Sequence, residues 1–182
     1  MTSKYTYSVK IPKDRVAVLI GQNGTVKKEL EEYTKSKILI DSQEGDVTIE
    51  GEDSLKVYNA REIVKAIARG FNPEYAKLLL KQDYTAEIIN LPDFLGKSTK
   101  KIIRMKGRVI GSHGKSRKII EDLTETRISV YGKTIGILGF YEDVIEAKRA
   151  IESLLTGSPH STVFKWLERN KVMKHMKEEE EF

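Results

Sequence analysis

Gly111, Ser112, His113 and Gly114 form a Gly-x-x-Gly loop, with Val109 and Ile110 before it and Lys115, Ser116, Arg117 and Lys118 after it. These residue types at this spacing suit one chemistry, the gripping of an anion. Glycine at both ends lets the chain turn with φ above zero and lets a ligand approach the main chain closely. The residues that follow open a helix, whose free N–H groups and positive dipole end would face the anion. Arg108, Lys115, Arg117 and Lys118 add full charges beside it. From Ser98 to Lys118 there are eight Lys or Arg and no acid, a one-signed block that fits either a polyanion partner or a solvated face. A Walker loop, G-x-x-x-x-G-K-S, needs glycine where Val109 stands, and so does the dinucleotide fingerprint G-x-G-x-x-G; both readings fail there.

The elements that must position this loop occur twice. Tyr5 to Ile11 alternates at period two and stops at Pro12, as a strand would. A short helix follows through Val18 and Leu19, then Ile20, Gly21, Gln22, Asn23 and Gly24, then a helix from Thr25 to Tyr33 with Val26 and Leu30 on one face. Ile38–Ile40 and Val47–Ile49 read as strands joined by the polar segment from Ser42 to Asp46. A longer helix from about Ser54 to Arg69 turns Val57, Ile63, Val64 and Ile67 inward and ends at Gly70.

A shift of 90 positions lays Ile110, Gly111, Gly114, Lys118, Glu121, Thr124 and Ile128 on Ile20, Gly21, Gly24, Lys28, Glu31, Thr34 and Ile38. Later pairs need 87 or 88, as with Gly51 and Gly139 or Ala60 and Ala147, so the second copy has a shorter connection between its strands. Between the copies, Asn72-Pro73 and Glu74 to Lys81 predict a capped helical turn, with Leu78, Leu79 and Leu80 too apolar for a free tether. The second copy runs from a strand over Thr85 to Leu91, through Pro92 and a longer entry from Asp93 to Met105, to a helix from Tyr141 to Thr156. Gly157 to Ser161 stops and restarts the chain. A further helix, with Val163, Phe164 and Leu167 on one face, is expected to pack back on the domains, and Glu178 to Glu181 to form a solvated tail.

Strand, helix, Gly-x-x-Gly, helix, strand, strand, helix is the order of the type I KH (K-homology) RNA-binding module, which both halves resemble. The resemblance implies an α+β chain: two tandem type I KH domains of β-α-α-β-β-α order, each a three-stranded sheet packed on helices, plus a C-terminal helix. The expected divisions are 1–71, a rigid helical linker at 72–84, 85–157, and 158–182. In KH modules the loop clamps about four nucleotides by their backbone. Carried over, Gly111, Ser112, His113 and Gly114 would take the phosphates, helped by Arg108, Lys115, Arg117 and Lys118. Val109 and Ile110 would form an apolar floor, and Ile128, Ser129 and Val130 the opposite wall; plain core packing is the competing reading for Val109, Ile110, Ile128 and Val130. His113 is either an added charge below neutral pH or a loop residue with no role. The first copy, with Gln22 and Asn23 in its loop and Val16 and Val18 at the positions matching Lys106 and Arg108, is electrostatically poorer. Ile20, Gly21, Gln22, Asn23, Gly24, Lys27 and Lys28 are its secondary RNA-binding candidates, and a protein-binding surface is the alternative.

The formal charge is +5 over 182 residues, with a pI near 9.2 and the excess in the second half, which fits a nucleic-acid partner. With no cysteine, disulfides, thiolate metal sites and thiol catalysis are excluded together. No stretch is apolar enough to span a membrane and the amino terminus lacks a signal-peptide core, so the expected location is cytoplasmic. Three scattered histidines and no H-E-x-x-H or G-x-S-x-G assemble no catalytic constellation. The expectation is a binding protein without metal or cofactor.

Lys106-Gly107-Arg108-Val109-Ile110-Gly111, Ile119 to Thr124, Ile128 to Thr134 and Gly157 to Val163 together resemble the archaeal branch of the Partner-of-NOB family of small-subunit ribosome assembly proteins. That resemblance implies binding of single-stranded RNA near the 3′ end of small-subunit ribosomal RNA, and partnership with the NOB endonuclease and the pre-ribosomal particle. Its eukaryotic members have lost much of the first Gly-x-x-Gly, whereas Gly21 and Gly24 are present here. An RNA-turnover or transcription factor on other RNAs, and a protein-interaction scaffold, are the alternatives.

Overall fold

Two units of strand–helix–helix–strand–strand–helix order make up the chain, one within Met1–Tyr84 and one within Thr85–Phe182. The computed structural model describes residues 5–180, with side chains described through residue 176. In the first unit β1 (Tyr5–Lys10) ends before Pro12, and α1 (Lys13–Ile20) leads through the first Gly-x-x-Gly into α2 (Thr25–Thr34). β2 (Lys37–Asp41) and β3 (Asp46–Gly51) form an antiparallel pair, and β1 joins the other edge of β3, giving the order β1-β3-β2. The β-branched residues Ile38, Val47 and Ile49 close against Val57, Ile63, Val64 and Ile67 of α3 (Ser54–Ala68), all of them buried. Asp53 caps α3 by accepting the N–H groups of Leu55 and Lys56.

Pro73 opens a single turn, α4 (Pro73–Ala76), capped by Asn72, whose Oδ1 accepts the N–H of Glu74 at 3.0 Å; a 3-10 turn over Lys77–Leu80 continues it. Both turns pack on α3, and the Lys77 ammonium donates to Glu29 on α2 and pairs with Glu74, each at 2.8 Å. Those carboxylates raise the Lys77 pKa above its ordinary value. The apolar Leu79 is buried, so this stretch is part of the first unit's packing.

The second unit repeats the plan with additions. β4 (Tyr84–Asn90) is followed by a short α5 (Leu91–Leu95), and α6 (Thr99–Ile110) is longer than α1. Then come α7 (Lys115–Thr124), β5 (Arg127–Tyr131), β6 (Thr134–Phe140), α8 (Tyr141–Leu155) and α9 (His160–Glu180), with the sheet order β4-β6-β5. Residues 42–45 link β2 to β3 whereas only 132–133 link β5 to β6, which is why the repeat shift drops from 90 to 88. Val163 and Leu167 bury α9 in the core of its own unit, against α7 and α8, with Phe164 partly buried beside them. The side chains of Glu178 to Glu181 lie outside the described residues.

Three polar ties recur at matching places. Glu31 and Glu121 each accept the backbone N–H of the second residue of the neighbouring edge strand, Ile38 and Ile128, at 2.7 Å. Thr34 and Thr124 donate back to Leu30 and Ile120 and meet Ser36 and Thr126, closing buried hydroxyls among themselves. Arg15 and Arg108 each hold the carboxyl end of the last domain helix: Arg15 donates to the carbonyls of Ile67 and Phe71, Arg108 to those of Leu154 and Ser158. Leaving a part-buried N–H without an acceptor costs roughly 1–3 kcal/mol. Glu121→Ala is therefore expected to destabilise the second unit by about that amount and to speed amide hydrogen exchange at Ile128, with Glu31→Ala doing the same at Ile38; unchanged exchange at both amides would contradict the tie.

Candidate nucleic-acid interface

Both Gly-x-x-Gly loops take one conformation. Gly111 (φ 73, ψ 177) ends α6, His113 (φ 51, ψ 31) and Gly114 (φ 76, ψ 9) are left-handed, and Lys115 (φ −59, ψ −45) enters α7. Gly21, Asn23 and Gly24 stand at φ 75, 53 and 76. Asn and His are among the few non-glycine types that accept this region, which explains the residue in the third place. A Cβ on Gly111 would sit 2.7 Å from the Ser116 nitrogen and 2.6 Å from its Cβ, so this glycine is required by packing; one on Gly114 would meet nothing nearer than the Arg117 guanidinium at 3.8 Å. Gly114 is thus the open end of the loop. No side chain caps α7: the Lys115 N–H is taken by the Ser112 carbonyl, and the N–H groups that follow it have no side-chain acceptor.

The basic residues divide into those with protein partners and those without. Lys115 and Lys118 are exposed with no acid partner, and His113 is exposed at the tip. Arg117 lies beside Gly114 with its Nε 4.0 Å from Glu121, as Lys27 does with Glu31. Arg108, expected at the phosphates, is committed elsewhere: it caps α8 through the Leu154 and Ser158 carbonyls, and its own carbonyl is bonded to His160 Nε2 at 2.8 Å. It ties the loop's helix to the end of α8. Lys106 donates to the Gly132 carbonyl at 2.8 Å, bridging α6 to the β5–β6 turn.

The apolar side of the groove also needs correction. Val109 and Ile128 are closed in the core, 0% and 4% exposed, and offer no surface to a base. Ile110 at the end of α6 and Val130 on β5 are half-buried and keep part of their apolar surface open; Ser129, also half-buried, alternates to the other face of the strand. In the first unit Ile20 is likewise half-buried and Lys28 exposed, but Gln22 and Asn23 bring no charge to the tip.

One feature escaped the sequence reading, and another entered it only as part of the basic block. Gly107 lies in mid-α6, exposed, and a Cβ there would meet nothing within 4 Å; neither packing nor φ requires glycine, so the bare helix face is open to close approach by a ligand. Lys100, Lys101 and Arg104 on α6, and Lys97 just before it, are exposed and unpaired among the described residues, so the start of α6 carries more uncommitted charge than the loop itself. The signal was in the sequence as a helix start without an acid. Among the described residues, no three His, Cys, Asp or Glu approach closely enough to hold a metal ion, and no helix is long and apolar enough to cross a membrane.

Residues 85–172 match the family model of the second PNO1 KH domain, described as "Eukaryotic type KH-domain (KH-domain type I)", and residues 6–66 match the model described as "KH domain". The chain is 50% identical over 167 residues to KH domain-containing protein MJ0443 of Methanocaldococcus jannaschii, covering 90% of this chain and 73% of that one. It is 30% identical to RNA-binding protein pno1 of Dictyostelium discoideum, covering 86% of this chain and 67% of that one. Among solved structures it is similar to a chain of the a/eIF2alpha–aDim2p–rRNA complex of Pyrococcus horikoshii, at TM-score 0.86 and 49% identity over 92% of this chain and 94% of that one.

Two substitutions separate the roles assigned above. Arg108→Met strips donors from two part-buried carbonyls and is expected to lower thermal stability by roughly 1–3 kcal/mol. Gly107→Ala is expected to raise it by up to about 1 kcal/mol while weakening nucleic-acid binding; thermal melts alongside a binding titration check both, and unimpaired binding by Gly107→Ala would remove the close approach.

Proposed function

This chain belongs to the PNO1 (Partner-of-NOB) family of KH-domain proteins, and from that premise we propose that it binds single-stranded RNA near the 3′ end of small-subunit ribosomal RNA during maturation of the subunit. The observation that carries the binding mode is the second loop: two consecutive left-handed residues deliver an uncapped helix start, with Lys115 and Lys118 unpaired beside it. Such a start receives phosphate oxygens on main-chain N–H groups, where the dipole and the two ammonium charges add to one another. Bases then lie toward Ile110 and Val130, with Gly107 leaving room at the helix face. The ribosomal target is supported by the relative that stands in a complex with rRNA at 49% identity. The NOB-type endonuclease and the pre-ribosomal particle are the proposed protein partners, on family resemblance. The role is one of holding RNA, not of cutting it.

The first unit contributes a weaker contact. Its loop has the same backbone path, but the tip is neutral and Lys27 is shared with Glu31, which leaves Lys28 as the free charge.

Gly114→Asp is the sharpest test, because aspartate tolerates the left-handed region and its carboxylate would stand where phosphate is proposed to sit. The expected outcome is at least a tenfold loss of RNA affinity, about 1.4 kcal/mol, with the melting temperature within a few degrees of the parent. Ultraviolet crosslinking in cell extract should recover the 3′ end of small-subunit RNA through peptides spanning Gly111 to Lys118. Crosslinks to scattered messenger or transfer RNA would replace this reading with a turnover factor, and the absence of RNA would replace it with a scaffold.

A further inference from the structure

We infer that the amino-terminal half of α6 is a second RNA contact, holding unpaired nucleotides that flank those gripped by the loop; this rests on the RNA reading above and extends its footprint. α6 begins about one turn earlier than its counterpart: with the 90-residue shift, α1 starts at the place of Ile103, so Thr99 to Ile102 have no equivalent in the first unit. Lys100, Ile103, Arg104 and Gly107 fall at i, i+3, i+4 and i+7, on the face opposite the buried Ile102, Met105 and Val109. Lys101 stands beside them and Lys97 just before the Ser98 cap, and all four cations are exposed and unpaired among the described residues.

Two details oppose reading this as an ordinary solvated face. Lys100 and Lys101 occupy the first turn of α6, which contains no acid; the helix dipole disfavours cations there and favours carboxylates. Local stability has been given up for positive charge. Ile103, 64% exposed, sits between Lys100 and Arg104, so the charged stripe carries an apolar centre. Cations on either side of an apolar side chain suit a nucleotide strand, whose phosphates and base faces alternate, as in non-specific single-strand grooves.

The stripe is continuous along α6 with the loop proposed above to hold phosphates. From Lys100 to Gly111 the helix rises about 16 Å at 1.5 Å per residue, and at roughly 3.4 Å per stacked nucleotide this is the length of about four to five nucleotides. Ile103 and Ile110 lie one heptad apart on one side of α6. Lys106, held on Gly132, stands between them.

The test uses the full chain and fluorescein-labelled RNAs from the 3′ end of small-subunit ribosomal RNA: one of roughly five nucleotides, near the span of the loop alone, and two of about twelve, extended on the 5′ or the 3′ side. The parent protein should bind one of the longer RNAs about tenfold more tightly than the short one. The triple variant Lys100→Gln, Lys101→Gln, Arg104→Gln should lose that gain, bind the short RNA within about twofold of the parent, and lower the salt slope on the long RNA by about 2, near 0.7 per phosphate contact. Ile103→Ser should weaken only the long RNA and leave the slope unchanged. Because all these side chains are exposed, melting temperatures should be equal or slightly higher. The inference is overturned if length brings no gain, or if either variant keeps the parent's affinity for the long RNA, as it would if the stripe served an acidic protein. In those cases short-RNA binding still supports the loop; failure of the parent to bind any of the three overturns the RNA reading itself.

Discussion

The space missing between Gly111 and Ser116 is the constraint on which the second unit's geometry rests. A Cβ at position 111 would overlap the Ser116 main chain, and at position 21 it would overlap Val26 in the same way. Only glycine lets one helix end and the next begin within four residues at that separation. With the turn made, α6 and α7 pack side by side, and Glu121 reaches from α7 to the Ile128 amide near the start of β5. The edge strand is thereby tied to α7. The side-by-side pairing of α6 and α7 follows from a single absent methyl group.

Electrostatic availability is a separate matter from charge density. Between Ser98 and Lys118 the chain carries eight cations, yet Arg108 is consumed by helix-end carbonyls, Lys106 by a turn carbonyl, and Arg117 stands near Glu121. What remains for a ligand is Lys115 and Lys118 at the loop and Lys100, Lys101 and Arg104 along α6. The committed residues still matter, since Arg108 joins the helix that bears the loop to the α8–α9 junction, with His160 bonded to its carbonyl. Positioning and binding are divided among neighbouring basic residues that look alike in one dimension.

The two units share one backbone plan and differ in the charge they carry. Loop dihedrals, the glutamate tie, the buried threonine pair and an arginine clamp recur in both, although the clamp comes from Arg15 in one and Arg108 in the other, which do not align at the 90-residue shift. The first unit's loop carries Gln22 and Asn23, and its α1 lacks the basic first turn of α6. Shape was retained and charge was not.

Much of this was legible in the sequence. Period-two and period-3.6 patterns, Pro12 and Gly70 as stops, the Asn72 cap and the paired Gly-x-x-Gly loops mark the elements and the repeat, because propensity and local sterics act over a few residues. Glu121, Thr124 and Ile128 stood in the repeat without a stated reason; the fold supplies it in hydrogen bonds. What only the tertiary structure decided lies at longer range. Arg108 meets carbonyls 46 and 50 residues away, and Val109 and Ile128 are sealed by helices and strands drawn from the whole unit. Whether a basic side chain meets solvent or a carbonyl, and whether a valine meets a base or a core, depends on which distant segment arrives beside it. Local pattern states the types present; packing alone determines which of them remain free.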